Sequence, residues 1–216
     1  METLSSTHDA LAEDLALGIA GMQLTLSGGQ QETLLAYLDL LNKWNRVYNL
    51  TAIRDPRDMV RRQLLDSLSI LPWVDSGPVL DVGTGAGLPG IPLAIARPQL
   101  PFSLLDTNGK KTRFVQQAVG ELGLGNVEVI KSRVETLERP QHYALILSRA
   151  FATLADMVAG SDALLAPGGC WLAMKGAAPH AEIRDLLPGL QTEVHALQVP
   201  GEIARRHLVT LRRATR

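Results

Sequence analysis

The chain is short of cysteine, of net charge and of long apolar runs. A single cysteine, Cys170, excludes an internal disulfide framework and any metal site built from several thiolates. The formal net charge is −1, which excludes a bulk polycation; a nucleic-acid partner has to be met by local patches. No apolar stretch reaches membrane-spanning length, and the first residues lack the basic-then-apolar form of a signal peptide. A cytoplasmic protein is therefore expected. Internal repeats and low-complexity linkers are also missing, and 216 residues suit one domain with a modest appendage.

Charge is spread unevenly along this near-neutral chain. Residues 1–53 hold six acidic side chains against Lys43 and Arg46, whereas residues 205–216 hold five arginines and no acid. The first third has helical periodicity. Leu11, Leu15 and Ile19 share one face of a segment that Thr7 or Asp9 can cap and that runs through Ala20. Ser27 followed by Gln30 fits a capping box ahead of Leu34, Leu38 and Leu41, in a helix reaching Trp44. Asp55-Pro56 starts a third helix, expected to run to about Leu71 and stop at Pro72. Residues 1–72 thus form a helical N-terminal extension, and residues 73–216 the domain it packs on.

From Val79 the pattern alternates. Short apolar strands are expected at Val79–Val82, Phe102–Asp106, Val127–Lys131, Ala144–Ser148 and Cys170–Lys175. Helices are expected at Gly90–Ala96, Lys110–Leu122, Leu154–Leu165 and His180–Leu187. Glu193–Val199 and Leu208–Arg212 add an antiparallel edge pair. The fold class that follows is α/β, an open doubly wound sheet with a helical N-terminal extension.

The first strand ends in Asp81 and runs into Gly83, Gly85, Gly87 and Gly90. Glycine lets backbone N–H groups come close to a ligand, so this turn is expected to bind a nucleoside-bearing small molecule. The spacing of Gly85, Gly87 and Gly90 alone is weak evidence for a dinucleotide. The register opposes one. Gly83 directly follows the strand, Leu88 stands at the third glycine position counted from it, and the Asp81 carboxylate is a poor neighbour for a pyrophosphate. Asp81 is better suited to orienting the loop or an ammonium group.

An Asp-x-Gly-x-Gly-x-Gly turn followed by an acid at the end of the second strand, here Asp106, resembles the class I S-adenosylmethionine-dependent methyltransferases, a Rossmann-like fold. In that setting Asp106 accepts hydrogen bonds from ribose hydroxyls; its alternative role is a helix cap. Further stretches are similar to one family within that class. These are Trp44-Asn45-x-x-x-Asn49-Leu50-Thr51, Leu65-Asp66-Ser67-Leu68, Gly83 to Pro92, Ser132-Arg133-Val134-Glu135, Ser148-Arg149-Ala150-Phe151, Leu172 to Gly176, and Arg206-His207-Leu208-Val209. They resemble, in order, the bacterial small-subunit ribosomal RNA guanine-N7 methyltransferases, once called glucose-inhibited division protein B. The likeness runs from about Leu34 to the end.

The resemblance implies S-adenosylmethionine as methyl donor, no metal, and N7 of a guanine in the 530 loop of 16S rRNA as acceptor. It places cofactor contacts on Gly83, Leu88, Val134, Glu135 and Arg149, beside the Asp81, Gly85 and Asp106 already singled out. One departure stands out: the family usually has a histidine where this chain has Gln63, which cannot titrate near neutrality. That position is then expected to orient or pack.

The absences bear on chemistry as well. Cys170 opens a predicted strand and suits a core position better than a nucleophile, and no Asn/Asp-Pro-Pro-aromatic motif follows the fourth strand. Guanine N7 carries a lone pair and no proton, so alignment of the reacting atoms replaces a strong base. No nucleophile or general base is expected; Arg149 and Lys175 are the positioning candidates. Arg61, Arg62, Lys110, Lys111 and Arg206 are the candidates for RNA phosphates. Trp44, Tyr48 and Asn49 are weighed for the base pocket, with a core role favoured for Trp44. A small-molecule methyltransferase of the same fold is the alternative, and nothing in the sequence demands more than a monomer.

Overall fold

The computed structural model describes residues 2–149, 151, 153–186 and 188–214. Seven strands form one sheet in the order β3-β2-β1-β4-β5-β7-β6. The strands are β1 (Val79–Val82), β2 (Phe102–Asp106), β3 (Val127–Lys131), β4 (Tyr143–Ser148), β5 (Leu165–Lys175), β6 (Leu190–Leu197) and β7 (Arg206–Arg213). β1 to β5 pair in parallel, and β7 runs antiparallel between β5 and β6. Strand order reverses between β1 and β4, so a crevice opens at their carboxyl ends, where open α/β sheets bind ligands.

The helices are α1 (Glu2–Gly21), α2 (Gly28–Tyr48), α3 (Pro56–Met59), α4 (Asp66–Leu68), α5 (Gly90–Ala96), α6 (Gly109–Glu121), α7 (Leu154–Ser161) and α8 (His180–Arg184). Alternation along the strands divides the apolar residues between two cores. Val79, Leu104, Leu145 and Leu172 face the core shared with α1, α2, α5 and α6. Leu80, Leu105, Ile146 and Trp171 face the smaller core under α7. Successive side chains of a strand point to opposite faces, and this sheet is covered on both. Leu11, Leu15 and Ile19 of α1 are buried in the larger core together with the strand residues. Burying each such side chain contributes roughly 1.5–3 kcal/mol.

Local signals hold in several places. Ser27 and Gln30 form the reciprocal capping box, and Asp55 caps α3 with Pro56 in its first turn. Other boundaries need correction. α1 starts at Glu2, which puts Thr7 and Asp9 inside the helix. The third helix is not continuous: α3 passes into a π-helical run, Val60–Leu65, then into α4, and Pro72 sits in a separate 3₁₀ turn, Leu71–Trp73. A π-helical stretch takes an extra residue per turn and re-aims the side chains beyond it, which no propensity foresees.

β5 begins at Leu165 instead of Cys170. Tyr143 pairs with Leu165 and Leu145 with Cys170, so Pro167-Gly168-Gly169 bulge out of a strand that they do not end. α7 stops at Ser161 and continues as a 3₁₀ turn, Asp162–Leu164. α8 ends at Arg184; Leu187, where a longer helix is expected, lies outside the described residues, as do Ala150 and Arg216. No helix among the described residues is long and apolar enough to cross a membrane.

Candidate active site

β1 delivers the chain into a turn that its glycines make possible. Gly83, Gly85 and Gly87 have φ of 70°, 61° and 90°, conformations that a side chain strains. The backbone N–H groups of Gly83 and Thr84 both donate to the Leu105 carbonyl, at 2.8 and 3.0 Å, which binds the turn to the end of β2. Gly85 N donates to Asp106 Oδ2 at 2.9 Å, and Asn108 N donates to Asp106 Oδ1 at 2.8 Å. Asp106 is therefore the hinge of two loops. The cap of α6 is Asn108, whose Oδ1 accepts from Lys110 N and Lys111 N, so the helix-cap alternative for Asp106 does not hold.

Asp81 is wholly buried beneath this turn. Its Oδ2 accepts from Thr84 Oγ1 at 2.7 Å and from Gly90 N at 2.9 Å, so it does orient the loop. Burial pushes its carboxyl up to about 6, against the hydrogen bonds from Thr84 and Gly90 and the charge of Arg149, which pull it down. Its Oδ1 has no hydrogen-bond partner among the described residues. A Cβ on Gly90 would stand 2.2 Å from Leu104 Cδ2 and 2.7 Å from Asp81 Oδ2, so only glycine fits there. From α2, the buried Tyr37 hydroxyl donates to the Ala86 carbonyl at 2.7 Å and braces the turn from behind.

In front of the turn lies a cleft of about 250 Å³ between β1, β2 and the 3₁₀ turn Val134–Thr136. Val82, Leu105, Val134 and Phe151 give it apolar walls, while Gly83, Asp106 and Glu135 give it polar ones. Each Asp106 oxygen accepts one backbone N–H and keeps a further lone pair. Apolar walls with one buried acceptor pair suit a nucleoside: a flat base between aliphatic side chains, and ribose hydroxyls on a carboxylate. The residues present therefore fit the nucleoside part of S-adenosylmethionine.

A second cleft, of about 290 Å³, opens on the other side of β4. Thr51, Arg62, Gln63, Asp66, Arg149, Lys175, Arg206 and His207 line it. At its floor the buried Asp66 carboxylate accepts from Arg206 Nε at 2.9 Å and from Arg149 Nη1 at 3.4 Å. Arg62 pairs with Glu202 at 3.3 Å, and Lys175 with Glu182 at 2.9 Å. The Trp44-to-Thr51 stretch has a physical role here. Asn49 ends α2 in the left-handed conformation, and the buried Asn45 accepts from Thr51 N at 2.9 Å and donates to the Ile53 carbonyl. Thr51 is thereby held where Gln63 Nε2 donates to its hydroxyl at 2.8 Å.

Arg149 lines the second cleft and acts electrostatically on groups behind the glycine turn. It hydrogen-bonds Asp66 in the second, and its charge acts on Asp81 and Tyr37 behind the glycine turn. Ser148 just before it donates to the Val82 carbonyl at 2.8 Å and ties the end of β4 to β1.

The sequence candidates divide accordingly. Gly83, Asp106, Val134 and Glu135 come together in the first cleft; Arg62, Arg149, Lys175 and Arg206 come together in the second. Asp81 and Gly85 shape the turn from beneath and beside it. Leu88 is buried in the larger core. Arg61 pairs with Asp58 and donates to the Gly201 carbonyl, outside both linings. Lys110 and Lys111 start α6, on the glycine-turn side.

Trp44 stacks on Tyr48 at 5.2 Å and contacts Phe114 at 5.6 Å, so it packs between helices. Cys170 is buried within β5, and burial raises its thiol. Sequence reasoning assigned no site role to Asp66, Thr51 or Tyr37. The available signal was, for Asp66 and Tyr37, a polar group within an otherwise apolar helix face; Thr51 lies in the loop after α2 and carries no such signal. Among the described residues no group of three or more His, Cys, Asp or Glu is placed to hold a metal.

Comparison with known proteins agrees with this architecture. In solved structures, the chain is similar to a SAM-dependent methyltransferase from Aquifex aeolicus (TM-score 0.57, 18% identity, 76% of this chain and 96% of that one). It is also similar to TrmN from Thermus thermophilus (TM-score 0.57, 20% identity, 71% and 53%). These likenesses show the class I methyltransferase fold. A protein of Marinobacter nauticus, named ribosomal RNA small subunit methyltransferase G, is 57% identical over 200 residues, covering 92% of this chain and 94% of its own. A Stenotrophomonas maltophilia protein of the same name is 52% identical over 203 residues, covering 94% and 95%. The family model described as rRNA small subunit methyltransferase G matches residues 30–209, and this chain belongs to that family.

Proposed function

We propose that this chain transfers the methyl group of S-adenosylmethionine to N7 of a guanine in the 530 loop of 16S rRNA. The observation that carries the reading is a pair of clefts at the carboxyl ends of the parallel strands: one apolar with an acid for a nucleoside, the other lined by Arg62, Arg149, Lys175 and Arg206. Bound in the first cleft, the cofactor supplies an electrophilic methyl group. The chain's own residues then bind and align. Asp106 offers its remaining lone pairs to ribose hydroxyls, and the backbone at Val134–Glu135 faces the adenine edge. Arg149 is held by Asp66 in the arginine cleft, and its charge pulls the Asp81 carboxyl down.

Because N7 has a free lone pair, no residue has to remove a proton first, and holding the reactants in line supplies roughly 7–11 kcal/mol in well-oriented reactions. Arg62 and Arg206 at the rim suit RNA phosphates, with Lys110 and Lys111 extending the basic surface on the glycine-turn side. We read residues 1–72 as an extension sharing the core of the methyltransferase domain, and the active form as a cytoplasmic monomer.

The test is transfer of a labelled methyl group to small ribosomal particles that lack the modification, with the product nucleoside identified. Label in 7-methylguanosine of the 530 loop is the expected result. Label in a small molecule and none in RNA overturns the reading in favour of a small-molecule methyltransferase.

A further inference from the structure

Residues 63 to 66 carry two buried polar groups that the methyl-donor side leaves unused. Gln63, in the π-helical run, and Asp66, just past it, both line the arginine cleft and are only 2% and 4% exposed. Gln63 Nε2 donates to Thr51, but Gln63 Oε1 has no hydrogen-bond partner among the described residues. Folded proteins seldom leave such an acceptor empty unless a ligand or water fills it. The amide orientation with Nε2 on the Thr51 hydroxyl is the one that leaves an acceptor free; turned over, the same position would present a donor. Asp66 has spare capacity too: each oxygen accepts one arginine N–H, which leaves a lone pair on each.

Gln63 and Asp66 stand three positions apart on a helical run, a spacing that makes neighbours, and line one basic cleft, so their acceptors suit two adjacent donors on a ligand. Among the RNA bases, guanine alone presents a ring N–H and an exocyclic amine next to each other, at N1 and N2. Adenine offers a bare acceptor at N1 and no amine at C2. N7 lies across the purine from this edge, so a base gripped at N1 and N2 keeps its N7 lone pair unobstructed. Methylation at N7 makes the ring cationic and its N1–H more acidic. A carboxylate accepting that proton's hydrogen bond therefore binds the product-like transition state more strongly than the substrate.

We propose that Gln63 and Asp66 are the guanine-reading edge of the arginine cleft, with Asp66 accepting from N1–H and Gln63 Oε1 accepting from the N2 amine. This rests on the function proposed above. It accounts for a glutamine at position 63, because an amide oxygen serves here without any titration.

The test uses small ribosomal particles reconstituted with 16S rRNA bearing guanosine or inosine at the target; inosine keeps N7, O6 and N1–H and lacks the N2 amine. The wild-type chain is expected to favour guanosine about 10–100-fold in kcat/KM, the effect of leaving a buried acceptor unpaired. Gln63→Met, similar in length and without an amide, is expected to bring that ratio within about twofold. Gln63→Leu provides a second variant, and melting and calorimetric binding of S-adenosylhomocysteine verify both folds. Asp66→Asn is expected to slow transfer to both substrates while the ratio persists. The assignment is overturned if the wild type does not discriminate, or if the ratio is the same in Gln63→Met. A wild type that labels no guanosine-bearing particle defeats the parent reading, and this assignment with it, before any ratio is taken.

Discussion

The glycine-turn cleft draws mainly on one stretch of chain, from Val82 to Thr107, completed by Arg133 to Glu135 and Phe151. The arginine cleft draws on Thr51, Gln63, Asp66, Arg149, Lys175 and Arg206, which span most of the sequence. Backbone geometry dominates the first: three glycines with positive φ, and N–H groups turned onto Leu105 and Asp106. Side-chain pairing dominates the second, where one carboxylate holds arginines from the ends of two different strands. A turn made of backbone leaves a motif in the sequence. A cleft made of distant side chains leaves only scattered polar residues.

Perturbing each cleft separately should expose that difference, and Asp66→Ala is expected to have the largest effect. It frees Arg149 and Arg206 together, so transfer to ribosomal particles should fall by about 100-fold or more, in line with removing a buried charged hydrogen-bond partner. Binding of S-adenosylhomocysteine by calorimetry should change little. Equal loss of both would mean that the clefts do not act as separate units. Gly90→Ala is the opposite probe. Its methyl meets Leu104 and Asp81, and the overpacking should cost about 1–3 kcal/mol in denaturant unfolding and weaken cofactor binding with it.

Asp81→Asn comes next and is read through pH. The wild-type carboxyl titrates at about 6 in the folded chain against 3.8 unfolded, so its stabilising contribution is complete below pH 3.8 and lost as pH rises through about 6. Asparagine does not titrate. The stability of Asp81→Asn relative to wild type should therefore climb across that window by about 2–3 kcal/mol, followed by denaturant midpoints at a series of pH values. A flat difference would mean that Asp81 is not buried as charge beneath the turn. The smallest effect belongs to Arg62→Gln. It should weaken RNA binding modestly and reduce the slope of log K against log salt by about one, without touching cofactor affinity. An unchanged slope would remove Arg62 from the phosphate-binding rim.

Much of the fold was legible because its signals are local. β1, β2, β3 and α5 lie where apolar runs and turn residues put them, and Ser27, Gln30, Asp55 and Pro56 mark helix starts by hydrogen bonds within a few residues. Misreadings fall where tertiary pairing overrides such signals. Pro167-Gly168-Gly169 looks like a strand boundary, yet β4 pairs with the chain on both sides of it and keeps one strand with a bulge. The π-helical run at Val60–Leu65 has helical periodicity, but its wider turn has no sequence mark. In the candidate site, the motif singles out Gly83 and Asp106, and the fold brings both into one cleft. Asn108 was missed as the cap of α6, because Asp106 two residues earlier has equal capping ability.

By itself the sequence determined the parallel sheet and the glycine turn, and placed Asp106 at the end of the strand beside it. Those depend on φ, on hydrogen bonds between near neighbours and on apolar alternation, all written within a few residues of one another. Only the tertiary structure decided that Asp66 gathers Arg149 and Arg206, and that Gln63, lining the same cleft, keeps an oxygen unpaired among the described residues. Pairing between side chains 83 and 140 positions apart depends on where the sheet brings their backbones, and no spacing along the chain encodes that distance.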